Sequence, residues 1–263
     1  MSQKTLDDEF LSFAHKLADC SGSVILPHFR KQGRIADKGV LAFDPVTEAD
    51  QGAEAAMRDL IIAEYPGHGI SGEEFDDRPA GGAYSWVLDP IDGTRAFISG
   101  LPIWGTLIGL THEGAPVLGV MDQPYIGERF WNAADGARFR DRHGEREIRT
   151  RRCASLSEAI LGATTPDMFK RDEPERFRRL SQACRLTKFG GDCYLYCLLA
   201  MGFVDIVAEA SLKPFDILPL APIIEAAGGR VTSWTGGDPG AGGQILTVGD
   251  PSLHEAAMQA LAG

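Results

Sequence analysis

Two carboxylates close together in the segment from Trp86 to Thr94, WVLDPIDGT, are the residues of this sequence best placed for chemistry. Asp89 follows a short apolar run, and Asp92 comes three residues later in the same predicted turn. Pro90 lacks a backbone N–H, and we expect it to end the strand. Carboxylates and a backbone carbonyl, here that of Ile91, are oxygen ligands that suit Mg²⁺, and the free amides of a following helix start suit a phosphate group. The segment therefore predicts a loop that holds a hard cation beside a phosphate.

Three more carboxylates lie beside glycine or proline at the predicted ends of helices or strands. They are Glu73 in SGEE, Asp44 in DPVT and Asp216 in KPFD. Two carboxylates about 4 Å apart repel each other by about 4 kcal/mol at an effective dielectric near 20, so their convergence needs a cation or a proton. A single acid in such a setting is more often a helix cap or a turn residue. The spacing alone leaves open whether these acids meet.

The apolar pattern predicts the helices and strands that would position these acids. Apolar residues at helical spacing predict a helix from about Leu6 to Ile25. A second helix is expected to start near Thr47, with Asp50 three residues further on as in a capping box. Short apolar runs between residues 86 and 132 are typical of a largely antiparallel sheet.

The second half of the chain has a different pattern, because short strands and helices alternate after about residue 150. We therefore expect an α+β domain over residues 1–145 and an α/β domain over residues 146–263. The arginine-rich stretch 138–152 has acids interleaved, which favours a solvated hairpin and connector over a nucleic-acid site. The GxGxxG match at 67–72 follows a predicted helix, whereas a dinucleotide loop follows a strand.

Charge and composition exclude several classes of partner. The 263 residues include 26 Lys and Arg against 37 Asp and Glu, a formal net charge of −11 that repels nucleic acid and anionic lipid. No apolar stretch reaches the roughly 20 residues of a membrane span, and acids stand where a secretory signal has its apolar segment. The five cysteines are scattered, and we expect buried free thiols. These features predict a cytoplasmic protein.

Four segments, taken together, resemble the inositol monophosphatase family of Mg²⁺-dependent, lithium-sensitive phosphatases. They are DPVTEAD at 44–50, GEE at 72–74, WVLDPIDGT at 86–94 and FD at 215–216. Two longer segments, 93–106 and 190–229, are most similar to the histidinol-phosphate phosphatase branch. The sequence departs from the broader family at Phe215, where tryptophan is usual, and this weakens an inositol-phosphate assignment without touching the metal ligands.

The resemblance implies a layered αβαβα sugar-phosphatase fold, inositol monophosphatase-like, with an α+β N-terminal half, an α/β C-terminal half and a site between them. The implied metal ligands are Glu73, Asp89, Asp92, Asp216 and the Ile91 carbonyl. The implied phosphate-binding residues are Asp92, Gly93 and Thr94, and the implied catalytic residues, which include those that orient the attacking water, are Asp44, Thr47, Glu73 and Thr94. The implied contacts to the rest of the substrate are Arg95, Asp192 and Glu209. A helix-capping role for Asp192 and a simple ion pair for Arg95 are the alternatives.

The implied reaction is hydrolysis of a small phosphomonoester by direct attack of water, with two or three Mg²⁺ ions and no phosphoenzyme. Pro90 stands where a haloacid-dehalogenase-type phosphatase would have its aspartate nucleophile, which argues against a covalent route. The expected substrate is L-histidinol phosphate, whose ammonium and imidazole groups suit acidic residues. The alternatives are inositol phosphate or another sugar or nucleotide phosphate and, outside the enzymes, an inactive relative that acts as a binding or regulatory module. A homodimer is expected by resemblance alone.

Overall fold

The computed structural model describes residues 3–31, 35–37 and 45–262, with the side chains of 8–31 and 47–262. Its helices are Gln3–Ile25 (α1), Glu48–Glu64 (α2), Thr94–Ile98 (α3), Glu173–Ala183 (α4), Asp192–Ala200 (α5), Pro214–Ile217 (α6), Leu220–Ala226 (α7) and His254–Ala262 (α8). Its strands are Ile35–Asp37 (β1), Pro45–Thr47 (β2), Gly69–Gly72 (β3), Tyr84–Asp92 (β4), Gly105–His112 (β5), Ala115–Gln123 (β6), Glu128–Ala133 (β7), Gly136–Asp141 (β8), Gly144–Ile148 (β9), Ile160–Ala163 (β10), Leu186–Phe189 (β11), Ile206–Leu212 (β12), Arg230–Ser233 (β13) and Gly243–Val248 (β14). Short 3-10 turns span Leu156–Glu158, Pro166–Met168 and Pro251–Leu253.

Two sheets form the frame of the fold. The first has the strand order β3-β4-β5-β6-β7-β8-β9, and its neighbours are antiparallel except for the parallel pair β3 and β4. The second has the order β11-β10-β12-β14-β13, in which β10 is parallel to both its neighbours and β14 is antiparallel to both of its own. β1 and β2 pair separately as antiparallel strands.

Helices cover both faces of each sheet. Leu17 of α1 and Met57 of α2 pack with Trp86 of β4 in one buried cluster. On the opposite face of the first sheet, Phe130 of β7 clusters with residues of α5 and α7, which also pack on Val207 of the second sheet. Residues of α4 and α8 cover the far face of the second sheet. Each fully buried large apolar side chain contributes about 1.5–3 kcal/mol, so these clusters hold the layers together. The layered αβαβα architecture is confirmed.

The expectation that Pro90 ends a strand is wrong, because β4 continues to Asp92. β3 pairs with β4 only as far as Leu88, so beyond that point none of the described strands on that side needs the N–H that proline lacks. On the other side, the register with β5 shifts between Asp89 and Asp92, and the Pro90 carbonyl accepts a hydrogen bond from Thr106 Oγ1 at 2.8 Å. Residues three apart on a regular strand point to opposite faces, and the bulge removes that alternation. Both carboxylates can therefore point toward one site.

Several local predictions are confirmed. Thr47 caps α2, and the Asp50 carboxylate accepts the Thr47 N–H at 2.9 Å to complete the capping box. The arginine-rich stretch forms the antiparallel hairpin of β8 and β9. Among the free cysteines, Cys153, Cys193 and Cys197 are buried, as expected, whereas the other two are half-buried. None of the helices in the described ranges is long and apolar enough to span a bilayer. The domain limits at residues 145 and 146 stay a prediction.

Candidate metal and phosphate site

Three aspartates from distant parts of the chain meet at the end of β4. Asp89 and Asp92 belong to β4, and Asp216 belongs to α6, which begins after Pro214. One carboxylate oxygen from each of the three aspartates lies within 4.8 Å of the others. At an effective dielectric of 20, charges at that separation repel by about 3.5 kcal/mol for each pair. The cluster therefore needs protons or a cation.

The pKa values of these aspartates reflect their burial first and this crowding second. Burial raises the pKa of Asp92 to about 7, and the charge of Asp216 adds to the effect. Burial and the Glu73 charge also raise the pKa of Asp216 to about 7, although a hydrogen bond from the Lys213 backbone opposes them. The pKa of Asp89 is raised well above its usual value, first by burial and then by the Glu73 charge. Glu73, which follows β3, therefore belongs to the same cluster of acids.

The donor set fits a divalent cation. Asp89 is buried, and its Oδ1 atom accepts no hydrogen bond from the described residues. A buried carboxylate oxygen without a donor or a cation is costly, because the charge has lost its hydration. Converging carboxylate oxygens are the usual ligands of Mg²⁺, so the residues present match the hard cation predicted from the sequence.

Backbone amides fix the orientation of two of the aspartates. The Cys193 N–H donates to Asp92 Oδ2 at 2.6 Å, and the Lys213 N–H donates to Asp216 Oδ2 at 2.6 Å. Cys193 lies in the first turn of α5, so Asp92 connects the first sheet to the helix layer between the sheets. Each bond engages one carboxylate oxygen and leaves the other oxygen for a cation.

The predicted phosphate-binding residues stand at the start of α3, directly after the cluster. Gly93 precedes α3 with φ of 83°, in the left-handed region that favours glycine. A Cβ atom on Gly93 would lie 2.9 Å from Asp192 Cγ, so a side chain there would push into the site. Thr94 Oγ1 donates to the Ile91 carbonyl at 3.1 Å, which ties the predicted carbonyl ligand to the predicted catalytic hydroxyl.

A cavity of about 370 Å³ extends from this cluster toward the second sheet. Asp92 and Asp216 of the cluster line it, together with Arg95, Asp192 and Glu209. Burial raises the pKa of Asp192 to about 7, the charges of Asp92 and Glu209 add to this, and Arg95 opposes it. Helix α5 begins at Asp192, and its N-cap residue is Gly191 without a side-chain capping bond. Asp192 therefore lines the cavity, and its role stays a prediction.

Comparison with known proteins identifies the family. The sequence model of the inositol monophosphatase family matches residues 6–262. The chain belongs to the inositol monophosphatase family. It is 42% identical over 265 residues to the chloroplastic bifunctional phosphatase IMPL2 of Arabidopsis thaliana, covering 97% of this chain and 75% of that protein. It is 35% identical over 221 residues to the histidinol-phosphatase of Mycobacterium tuberculosis, covering 82% of this chain and 84% of that one.

A solved inositol monophosphatase from Zymomonas mobilis has the same fold. The two chains superpose with a TM-score of 0.88 and 39% sequence identity, and all of each chain is covered. Members of the inositol monophosphatase family are metal-dependent phosphatases, and the acidic cluster at the end of β4 agrees with that chemistry. The protein is therefore a phosphatase of this family.

The structure places most of the predicted inositol monophosphatase residues around one site. The four predicted metal-binding acids converge at the end of β4, with Gly93 and Thr94 beside them. Thr47 lies at the start of α2, and its Oγ1 atom donates to Asp50 Oδ2 at 2.5 Å. The Asp50 charge in turn raises the pKa of Asp89, so the start of α2 faces the acidic cluster. Asp44 lies outside the described residues, and the roles of all these residues stay predictions.

Sequence reasoning missed Glu54, a buried acid of α2 that supports this family's site. Glu54 is fully buried, and its Oε2 atom accepts the Glu74 N–H at 2.8 Å. A Cβ atom on Gly72 would lie 2.3 Å from Glu54 Oε1, so a side chain there would force Glu54 to shift. Arg58 Nε donates to the same Oε1 atom at 2.7 Å. The spacing of Glu54 four residues after Asp50, on a face with buried alanines, was a signal that could have found it.

Proposed function

We propose that the protein hydrolyses L-histidinol phosphate to L-histidinol and inorganic phosphate in a Mg²⁺-dependent reaction. The observation that carries this proposal is the cavity that joins the acidic cluster to two further carboxylates, Asp192 and Glu209. Histidinol phosphate has an ammonium group and a titratable imidazole, and both are stabilised by acidic neighbours. The similarity to the Mycobacterium tuberculosis histidinol-phosphatase supports the same substrate.

Different residues of the chain would have different roles in this reaction. Glu73, Asp89, Asp92, Asp216 and the Ile91 carbonyl would hold two or three Mg²⁺ ions. Bound Mg²⁺ would lower the pKa of a water molecule and offset the charge of the phosphoryl group. Because the Thr94 hydroxyl donates to the Ile91 carbonyl, its oxygen keeps lone pairs that can accept a proton of the attacking water.

Thr47 can orient the same water by a similar arrangement. Its hydroxyl donates to Asp50 and accepts the Ala49 N–H at 3.1 Å, which leaves one lone pair of Oγ1 for a water proton. With Asp44, predicted from the resemblance as the third orienting residue, these groups would position water for direct attack. The proposed route forms no phosphoenzyme. We also propose that the protein acts as a homodimer, which sedimentation equilibrium can test.

A panel of phosphomonoesters tests the proposed substrate. Release of inorganic phosphate is measured with Mg²⁺ for histidinol phosphate, inositol 1-phosphate, glycerol 2-phosphate and a 3′-phosphonucleotide. We expect kcat/KM to be highest for histidinol phosphate. An inositol phosphate value several-fold above it would reject the proposed substrate. Release that needs no divalent cation would reject the proposed chemistry.

Inositol monophosphate is the second candidate substrate. It is favoured by the similarity to the Zymomonas mobilis inositol monophosphatase, which extends over the whole chain. Carboxylates such as Asp192 and Glu209 can also accept hydrogen bonds from the hydroxyl groups of a polyol. The inactive-relative alternative predicts no release from any of the four esters and no carboxylate-dependent binding of Mg²⁺ in calorimetry.

A further inference from the structure

Helix α5 contacts both the acidic cluster and the Glu209 carboxylate. At its start, the Cys193 N–H donates to Asp92 in the acidic cluster. One turn later, the Tyr196 hydroxyl donates to Glu209 Oε2 at 2.9 Å. Asp192 and Tyr196 are four residues apart, so they lie on the same face of the helix. One rigid element therefore sets the separation between a predicted metal ligand and the Glu209 carboxylate.

Tyr196 is the donor in its bond to Glu209. The side chain is 2% exposed, and burial together with the Glu209 charge raises the pKa of Tyr196 well above its usual value. The phenol therefore keeps its proton, and the Tyr196 O–H donates a hydrogen bond to the Glu209 carboxylate. A hydrogen bond to a charged acceptor is stronger than one between neutral groups, so the bond favours the ionised form of Glu209.

The two oxygens of Glu209 are held by different donors. Oε1 accepts the Thr164 N–H at 2.6 Å, and Oε2 accepts the Tyr196 hydroxyl. Burial raises the pKa of Glu209 above its usual value, and these two hydrogen bonds offset part of that rise. A carboxylate has about four acceptor positions, so each oxygen keeps one for a ligand. All three residues line the cavity, so a bound cationic group can reach the held carboxylate.

We propose that Tyr196 is a positioning residue that fixes the Glu209 carboxylate as the acceptor for the cationic part of the substrate. This inference rests on the proposed function, because an ammonium or imidazolium group is what distinguishes histidinol phosphate from a polyol phosphate. Tyr196 acts through Glu209 and not on the phosphoryl group. Its removal should therefore weaken the binding of cationic substrates more than that of neutral ones.

Steady-state kinetics of Tyr196→Phe test this role, with histidinol phosphate and neutral glycerol 2-phosphate as substrates. A hydrogen bond to a charged group changes an equilibrium constant by roughly a factor of ten or more. We therefore expect KM for histidinol phosphate to rise about tenfold in Tyr196→Phe, with kcat nearly unchanged. Neither constant should change appreciably for glycerol 2-phosphate. In a Glu209→Gln background, adding Tyr196→Phe should change KM little, because the acceptor charge is already absent.

Tyr194→Phe is the matched control. Tyr194 is on the same helix, and its hydroxyl also donates to a carboxylate, that of Glu128, but neither residue lines the cavity. We expect wild-type KM values for both substrates. Glu209→Asp is a second test that keeps the tyrosine and the charge but shortens the side chain, and it should raise KM for histidinol phosphate as Tyr196→Phe does.

Two kinds of result overturn the Tyr196 role. One is a Tyr196→Phe effect that is equal for both substrates or that persists in full in the Glu209→Gln background, because a merely structural residue gives that pattern. The other is a wild-type KM for histidinol phosphate in Tyr196→Phe or in Glu209→Asp. Failure of the proposed function looks different, because the wild-type enzyme itself would then show no preference for histidinol phosphate over neutral esters.

Discussion

Removing one charge from the acidic cluster should stabilise the metal-free protein. We consider Asp92→Asn, whose side-chain oxygen can still accept the Cys193 N–H. The oxygens of Asp89, Asp92 and Asp216 lie within 4.8 Å of one another, and each ionised pair at that separation costs about 3.5 kcal/mol at an effective dielectric of 20. Protons and solvent reduce this cost when no metal is bound. We therefore expect Asp92→Asn to raise the free energy of unfolding of the metal-free protein by about 2 kcal/mol at pH 8.5. This corresponds to a rise in Tm of about 4–8 °C.

The sign of the pH dependence follows from the raised pKa values. Asp92 and Asp216 have pKa values of about 7 in the folded protein, against 3.8 as the usual value. The folded state binds these protons more tightly than the unfolded state. Their contribution to the free energy of unfolding is therefore complete below about pH 4 and is lost as the pH rises to 7. The advantage of Asp92→Asn should therefore be largest at pH 8.5 and should shrink as the pH is lowered toward 5.

Thermal unfolding with EDTA and with saturating Mg²⁺ checks this reasoning. Mg²⁺ should raise the Tm of the wild type more than that of Asp92→Asn, because the wild type has the complete set of acids. Asp59→Asn, on the exposed face of α2, is the control and should leave Tm within about 1 °C of the wild type at every pH. If Asp92→Asn were no more stable than wild type in EDTA at pH 8.5, or gained as much from Mg²⁺, the electrostatic account of the cluster would be wrong.

Further predictions concern the same acids and their support. Asp92→Asn and Asp216→Asn should each lower kcat at least about 100-fold, because each removes a predicted metal ligand. The circular dichroism spectrum should stay that of the wild type, because neither change removes a core contact. Near-normal turnover in either variant would refute the metal assignment. The affinity for Mg²⁺, measured by calorimetry, should decrease as the pH is lowered below 7, because protons compete for Asp92 and Asp216. A pH-independent affinity would contradict this. Gly72→Ala should destabilise the protein by about 1–3 kcal/mol in chemical denaturation, because its Cβ would lie 2.3 Å from Glu54 Oε1; unchanged stability would show that Glu54 can move aside.

Interactions that span a few residues could be predicted from the sequence. The capping box of Thr47 and Asp50 needs only residues three apart, and it was found where the pattern placed it. The strand that carries Asp89 was predicted, but its end was not. Whether Pro90 stops β4 depends on how far β3 extends beside it and on the bulge opposite β5, and neither property is local to the proline.

The meeting of the acids depends on packing between distant segments. Nothing in the local sequence around Asp216 shows that α6 abuts the end of β4, and only the family resemblance placed Asp216 near Asp89. The link between Tyr196 and Glu209 was missed for the same reason, since it needs α5 to lie against β12. A tyrosine within a buried helix is usually a core residue, and its hydroxyl becomes informative only when its partner is known.

Two groups of residues have different parts in the proposed reaction, and this separation has a kinetic consequence. The first group is the acidic cluster, formed by residues of β4 and α6 and by Glu73 after β3, together with the predicted phosphate-binding residues at the start of α3, which every phosphomonoester must use. The second group is Glu209 on β12 with Asp192 and Tyr196 of α5, which also line the cavity and, under the proposed function, would face the leaving alcohol, the part that differs between substrates. Changes in the first group should therefore lower activity on all esters together, whereas changes in the second should alter the ratio between cationic and neutral esters. A substitution at Glu209 that reduced activity equally on every ester would mean that Glu209 does not contact the alcohol.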